Sequence, residues 1–165
     1  LITEDTEIVS EAIILTTHGK ELLEEELADL TKVRRKEVAQ RLKEAKDFGD
    51  ISENSEYEDA KNEQAFTEGR IAEIQHILSH AEVVDEKKGK KDKVRMGLVA
   101  SLRDMETKKV HDFRIVGSFE ADPDLMHISH ESPIGQAILG KKVGDVVEIE
   151  LPHGSLKYKV EDIKK

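Results

Sequence analysis

Asp50 and Glu53 stand three residues apart in the polar stretch Gly49-Asp50-Ile51-Ser52-Glu53-Asn54-Ser55-Glu56-Tyr57, set between two long charged segments that read as helices. Hard cations such as Mg²⁺ take oxygen ligands and commonly keep several waters, so one or two carboxylates can complete a site whose other ligands come from elsewhere. In two-metal phosphoryl transfer one ion activates the attacking water while the other stabilises the departing oxygen. A chain that supplied only ligands for the second ion would switch on hydrolysis in a partner and be inert alone. The same tetrapeptide also has a structural reading, since Asp50 followed by Glu53 is the pattern of a capping box for the free amides of a following helix. The tetrapeptide alone leaves both open.

The elements that would carry these acids are legible as period. Thr17 can cap a helix starting near His18, and Leu23, Leu27, Leu30, Val38, Leu42 and Ala45 then recur at steps of three, four or eight residues. A second helix shows a stricter seam through Tyr57, Ala60, Gln64, Thr67, Ile71, Ile74, Leu78 and Ala81, the spacing of a heptad repeat. Gly49 after Phe48 is a natural helix stop. Folding back near Asp50 superposes the two stripes. A helix of about thirty residues extends on the order of 45 Å at about 1.5 Å per residue, so the hairpin would be a long arm with the acids at its tip. The seam is small or polar near the tip and Leu- or Ile-rich at the base, which predicts that stability is concentrated at the base.

Composition agrees with an elongated element. Of 165 residues, 38% are charged and 4% aromatic, with no Trp, too little bulky apolar material for one large core. The absence of Cys excludes disulfides and thiolate metal sites. No apolar run approaches the roughly 18 residues of a membrane span, and a soluble, cytoplasmic protein with no membrane partner is expected. The net charge of -10 opposes indiscriminate binding to duplex nucleic acid. Locally the sign reverses: Lys32, Arg34, Arg35, Lys36, Arg41, Lys43 and Lys46 lead toward the acidic tip, offset in sequence only by Glu37 and Glu44. This is either a solvated face laced with ion pairs or a stripe that tracks phosphates.

After Ala81 the helical period ends, and Asp85 to Lys93 is a charged linker or exposed loop. Val94–Leu102, Val110–Phe119, Val146–Leu151 and Leu156–Ile163 read as strands, the last two as a hairpin around Pro152-His153-Gly154. Ser132-Pro133-Ile134-Gly135-Gln136-Ala137-Ile138-Leu139-Gly140 is a short helix with a capping Ser, Pro at its first position and Gly after its end. The expected class is α+β: an antiparallel coiled-coil hairpin over residues 14–84, then a small, mostly antiparallel sheet domain with a short helix over residues 85–165. His76 and His80, and His127 and His130, are spaced to touch one metal as pairs, but closed zinc sites take three or four ligands, and no zinc is assigned.

Leu15-Thr16-Thr17-His18-Gly19, Glu44 through Tyr57, Ala60-Lys61-Asn62-Glu63-Gln64 and Glu68-Gly69-Arg70-Ile71, followed by Ser132-Pro133-Ile134-Gly135 and Gly140-Lys141-Lys142-Val143-Gly144-Asp145, resemble in order the motifs of the bacterial Gre transcript cleavage factors, GreA type. The resemblance spans nearly the whole chain from Ile14. It implies a monomeric accessory factor, itself no enzyme, whose arm enters the secondary channel of bacterial RNA polymerase when the 3′ end of the nascent RNA has backtracked. Asp50 and Glu53 would hold a catalytic Mg²⁺ jointly with the polymerase, weakly in the free protein, with Ser52 orienting the group. Arg34, Arg35, Arg41, Lys43 and Lys46 would form an RNA-proximal basic stripe. The C-terminal domain would be FKBP-like and dock on the channel rim through Ser132, Pro133, Ile134 and Gly135. Prolyl isomerase activity is not expected, because Phe113, Phe119 and Tyr158 are the domain's only aromatics and cannot fill a core and line a substrate pocket together.

The chain departs from the family pattern at Lys36, where Pro is frequent, so a proline-induced irregularity in the first helix is not expected; at Ile51, usually Leu; and at Glu58, commonly His. None of these removes a proposed metal ligand. The alternative functions are a Gre-like regulator that occupies the channel without cleavage, disfavoured by the intact tip acids, and a coiled-coil adaptor whose tip acids only cap a helix.

Overall fold

The computed structural model describes residues 12–48 and 55–165, so the sequence readings at Asp50, Ser52 and Glu53 lie outside the described residues. The chain divides into two compact units. The first, Thr16–His80, holds helices α1 (Thr17–Asp29), α2 (Arg35–Asp47) and α3 (Ser55–His80). The hairpin edge lies inside the 14–84 bounds read from sequence. Strands β1 (Ile14–Thr16) and β2 (Glu82–Val84) pair as a two-stranded sheet, with Glu82 N–H donating to the Ile13 carbonyl at 2.7 Å, and all of β2 belongs with the second unit.

Thr16, one residue earlier than expected, caps α1: its hydroxyl accepts from Gly19 N–H at 3.1 Å. Between α1 and α2 the chain makes a π-helical turn, Leu30–Arg34, although no proline is present. Its cause is in the spacing. A heptad step from Leu30 would land on exposed Glu37, whereas the buried residue is Val38, one position later. A π turn takes up that extra residue and returns Val38 and Ala45 to the buried face. Thr31 supports the distortion, its Oγ1 donating to the carbonyls of Leu27 at 2.8 Å and Ala28 at 3.3 Å.

On α3 the buried positions are Ala60, Thr67, Ile71, Ile74 and Ile77. Two positions of the expected seam move. Gln64 is exposed and Glu63 is half-buried instead, while Ile77 is buried where Leu78 is only half-buried. A glutamate can take the inward position because two arginines meet it there, as described below.

The second unit is built on a five-stranded sheet of order β5-β4-β3-β7-β6, with β3 (Val99–Asp104), β4 (Val110–Val116), β5 (His127–Ser129), β6 (Val146–Leu151) and β7 (Gly154–Lys164). β3 lies antiparallel to both β4 and β7, and β6 is antiparallel to β7, with Leu151 opposite Gly154 across the Pro152-His153 turn. β5, which is too short to show an alternation in sequence, runs parallel to β4. β3 starts at Val99 rather than Val94 because the chain turns at Gly97, whose φ is 82°. Leu102, Ile115, Ile138 and Val160 are fully buried in the core. Helix α4 (Pro133–Ile138) contributes Ile138 to that core, with Ile134 packed against it. Phe113 and Tyr158 are the buried aromatics, edge to face at 6.4 Å, and burial raises the Tyr158 phenol above its ordinary range.

Because Ile74 is fully buried and Gln64 exposed, Ile74→Ala should destabilise the hairpin by about 2–5 kcal/mol. Gln64→Ala should stay within about 0.5 kcal/mol of the parent. Urea denaturation followed by far-UV circular dichroism distinguishes the two.

Candidate functional site

The approach to the tip is made of small residues. α2 ends at Asp47, with Phe48 as its C-cap, and α3 resumes at Ser55. Ala45 and Ala60 are both buried there, and with no side chain beyond Cβ they let the helix backbones approach closely. Tyr57 is half-buried, and the Lys61 ammonium sits 5.3 Å from its ring centroid. Asp50, Ser52 and Glu53 fall in the stretch of chain that joins these helix ends.

The basic stripe resolves into two kinds of residue. Its three arginines are cross-helix struts rather than a free row of cations. Arg34 Nη2 lies 2.7 Å from Glu63 Oε1, Arg41 pairs with the other Glu63 oxygen and reaches Glu56 at 3.3 Å, and Arg35 grips Glu68 with two bonds of 2.7 and 2.9 Å. The sequence reading counted only Glu37 and Glu44 as offsets because the neutralising acids belong to the other helix. Lys43 and Lys46 have no ion-pair partner among the described residues and stay available to a phosphate backbone.

Toward the base the sense of the strut reverses, with Arg70 of α3 bidentate on Glu26 of α1 at 2.7 and 2.8 Å and also bonded to Glu73 at 2.8 Å. The hydrogen bonds from Arg70 hold the Glu26 carboxyl below its usual range against the opposing effect of burial, and those from Arg35 do the same for Glu68. The partner guanidiniums are raised in turn.

In the second unit, three of the four docking residues read from sequence are architectural. Ser132 Oγ accepts from Gly135 N–H at 3.0 Å and donates to the Ser129 carbonyl at 2.7 Å, capping α4 and fastening it to the end of β5. A Cβ on Gly135 would collide with that same carbonyl, and Ile134 faces the core. Pro133 alone of the four is exposed. Exposed apolar side chains stand on the turns that follow β4, where Phe119 is 50% and Leu125 62% exposed, with Met126 after them in the chain. Sequence reasoning placed Phe119 in a strand, but β4 ends at Val116 and Gly117 is needed where a Cβ would run into the Ile14 carbonyl. The signal that could have marked this loop is Asp122-Pro123, a turn pair whose Asp accepts from Asp124 N–H at 3.0 Å.

Of the two histidine pairs, neither belongs to a group of three or more metal-capable side chains among the described residues. No helix among the described residues is long and apolar enough to cross a membrane.

Comparison with known proteins covers both units. A family described as "Transcription elongation factor, N-terminal" matches residues 13–83, and one described as "Transcription elongation factor, GreA/GreB, C-term" matches residues 88–165. The chain is 52% identical over 157 residues to the transcription elongation factor GreA of Thermoanaerobacter pseudethanolicus, covering 95% of this chain and 100% of that one. It is 48% identical over 153 residues to GreA of Acetivibrio thermocellus, covering 93% and 96%. Among solved structures, GreA factor homolog 1 of Thermus thermophilus is 32% identical, covering 93% of this chain and 99% of that one, with a TM-score of 0.42.

The depressed carboxyls carry a pH signature. Stability from Glu26 and Glu68 is present above the ordinary glutamate range of about 4.3 and is lost as pH falls through their lower folded-state values. The double variant Glu26→Gln, Glu68→Gln should therefore melt lower than the parent at neutral pH and lose less on acidification, so the two melting curves converge in acid.

Proposed function

Because the chain belongs to the GreA/GreB family of transcription elongation factors, we propose that its arm carries Asp50 and Glu53 into the secondary channel of bacterial RNA polymerase and stimulates cleavage of backtracked nascent RNA by the polymerase itself. The observation that supports this reading most directly is the narrow distal end of the hairpin. The two helices close on Ala45 and Ala60, with α2 ending at Asp47 and α3 starting at Ser55, so Asp50 and Glu53 fall in the short run of sequence that joins them.

Two carboxylates and water are the donor set that suits Mg²⁺, and Asp50 and Glu53 would hold it jointly with groups of the polymerase. When bound there, the ion supplies Lewis-acid activation of a water and neutralises charge on the phosphodiester. The chain's own part is placement. Arg34 and Arg41 on Glu63, and Arg35 on Glu68, fix the sliding register of one helix against the other, so the helix ends at Asp47 and Ser55 keep a set offset. Lys43 and Lys46, which have no ion-pair partner among the described residues, would meet the phosphates of the extruded 3′ end. Ser52 would orient a tip carboxylate or its water by hydrogen bonding.

The docking surface on the channel rim is assigned to Phe119, Leu125, Met126 and Pro133, the exposed apolar residues of the loops around β5, with Ser132, Ile134 and Gly135 building the scaffold beneath. The factor would act as a cytoplasmic monomer.

Asp50→Ala and Glu53→Ala should each lower stimulated RNA cleavage in a halted polymerase complex by roughly two orders of magnitude or more, the scale for removing a group that stabilises developing charge, while binding to the polymerase persists. Undiminished cleavage by the double variant would overturn the assignment and favour the channel-occupying regulator. Phe119→Ser with Leu125→Ser should show the opposite pattern, weakening binding by more than about 1 kcal/mol in a competition assay and leaving cleavage at saturating factor unchanged.

A further inference from the structure

We propose that His76 and His80, facing each other at the C-terminal end of α3 (Ser55–His80), form a two-imidazole clip for a borderline transition-metal cation such as Zn²⁺, a site separate from the tip and independent of the cleavage role. Residues four apart share one helix face, and here the rings are already together, with centroids 4.2 Å apart and planes inclined by 34°. Both side chains are exposed, so a metal can reach them.

The hydrogen bonds fix which ring nitrogen of His80 is free. Its Nδ1 lies 2.9 Å from the His76 carbonyl oxygen, which can only accept, so Nδ1 carries the proton. Ser79 Oγ agrees with this assignment: it donates to the same carbonyl at 3.0 Å and lies 2.9 Å from His80 Nδ1, positioned to accept. The His80 lone pair is therefore on Nε2. A backbone carbonyl holding the far N–H is the outer-shell arrangement that orients metal-bound histidines.

No carboxylate is ion-paired to either ring among the described residues. Glu73, one turn back, is held by Arg70 at 2.8 Å and is not counted as a ligand. Two imidazoles leave the remaining positions to water, so the site is open and weaker than a closed three- or four-ligand centre. Imidazole selects Zn²⁺, Ni²⁺ and Cu²⁺ over hard Mg²⁺. A cation at the C-terminal end of a helix also meets the negative end of its dipole. Because the clip exists only when this turn is helical, bound metal would stabilise the folded hairpin.

The test is titration of the full chain with Zn²⁺ alone, by calorimetry and by NMR of the imidazole resonances. One saturable ion per chain is expected, with His76 and His80 signals shifting together, a rise in the melting temperature, and no displacement by excess Mg²⁺. His76→Asn or His80→Asn should lower affinity at least roughly tenfold, the lower bound for losing even an outer-shell partner, and abolish the rise; far-UV circular dichroism checks that α3 is intact. His127→Asn and His130→Asn should bind as the parent does. Absence of saturable binding, undiminished binding by the His76 and His80 variants, or shifts confined to His127 and His130 would each overturn the proposal.

Discussion

A hairpin of two helices has one seam to bury and no third layer to shield it, and the arm is shaped by that constraint. Full-sized aliphatic side chains occupy the seam toward the base, at Leu23, Ile71, Ile74 and Ile77, while Ala45 and Ala60 occupy it near the tip. Slenderness at the far end is thus obtained by removing the bulk that would otherwise stabilise it. What replaces that bulk is electrostatic. Arg34, Arg35 and Arg41 reach from one helix to acids on the other, and Glu63 takes a half-buried position because two guanidiniums converge on it. Exposed ion pairs contribute little each, but they fix register, which is what a tip requires of its support.

The same pairing changes the meaning of the charge pattern. A run of cations that reads in sequence as one stripe is divided by the fold into arginines that belong to the arm and lysines that remain outward. Only the second kind is free to meet a polyanion. The division follows chemistry, since the planar, multidentate guanidinium makes the cross-helix struts and the flexible ammonium is left to solvent.

Much of this was legible from periodicity. The helices, the β6–β7 hairpin and the cap of α4 each rest on local rules, and Ser132, Pro133 and the glycine after the helix mark α4 without reference to anything distant. The misplacements have a common origin in contacts remote in sequence. Gln64 and Glu63 exchange roles because arginines of the opposite helix choose between them. Gly117 ends β4 because the Ile14 backbone lies against it, and β5 is drawn into the sheet by its pairing with β4. For the tip, residue type and the resemblance in its motifs indicated Asp50, Ser52 and Glu53, which lie outside the described residues. The π turn was visible as an eight-residue step between Leu30 and Val38, but with Lys36 in place of a frequent proline the step did not suggest a distortion.

That turn has a consequence for how such an arm can change over evolutionary time. In an uninterrupted coiled coil, gaining or losing one residue swings everything beyond it by about 100°, since each turn holds 3.6 residues, and would aim a terminal functional group at the wrong wall. A stretch that already alternates between wide and ordinary winding offers a place where a single codon can be added or deleted while the distal segment keeps its azimuth. Leu30–Arg34 is in this sense a mechanical expansion joint, set at the root of the distal half of the arm.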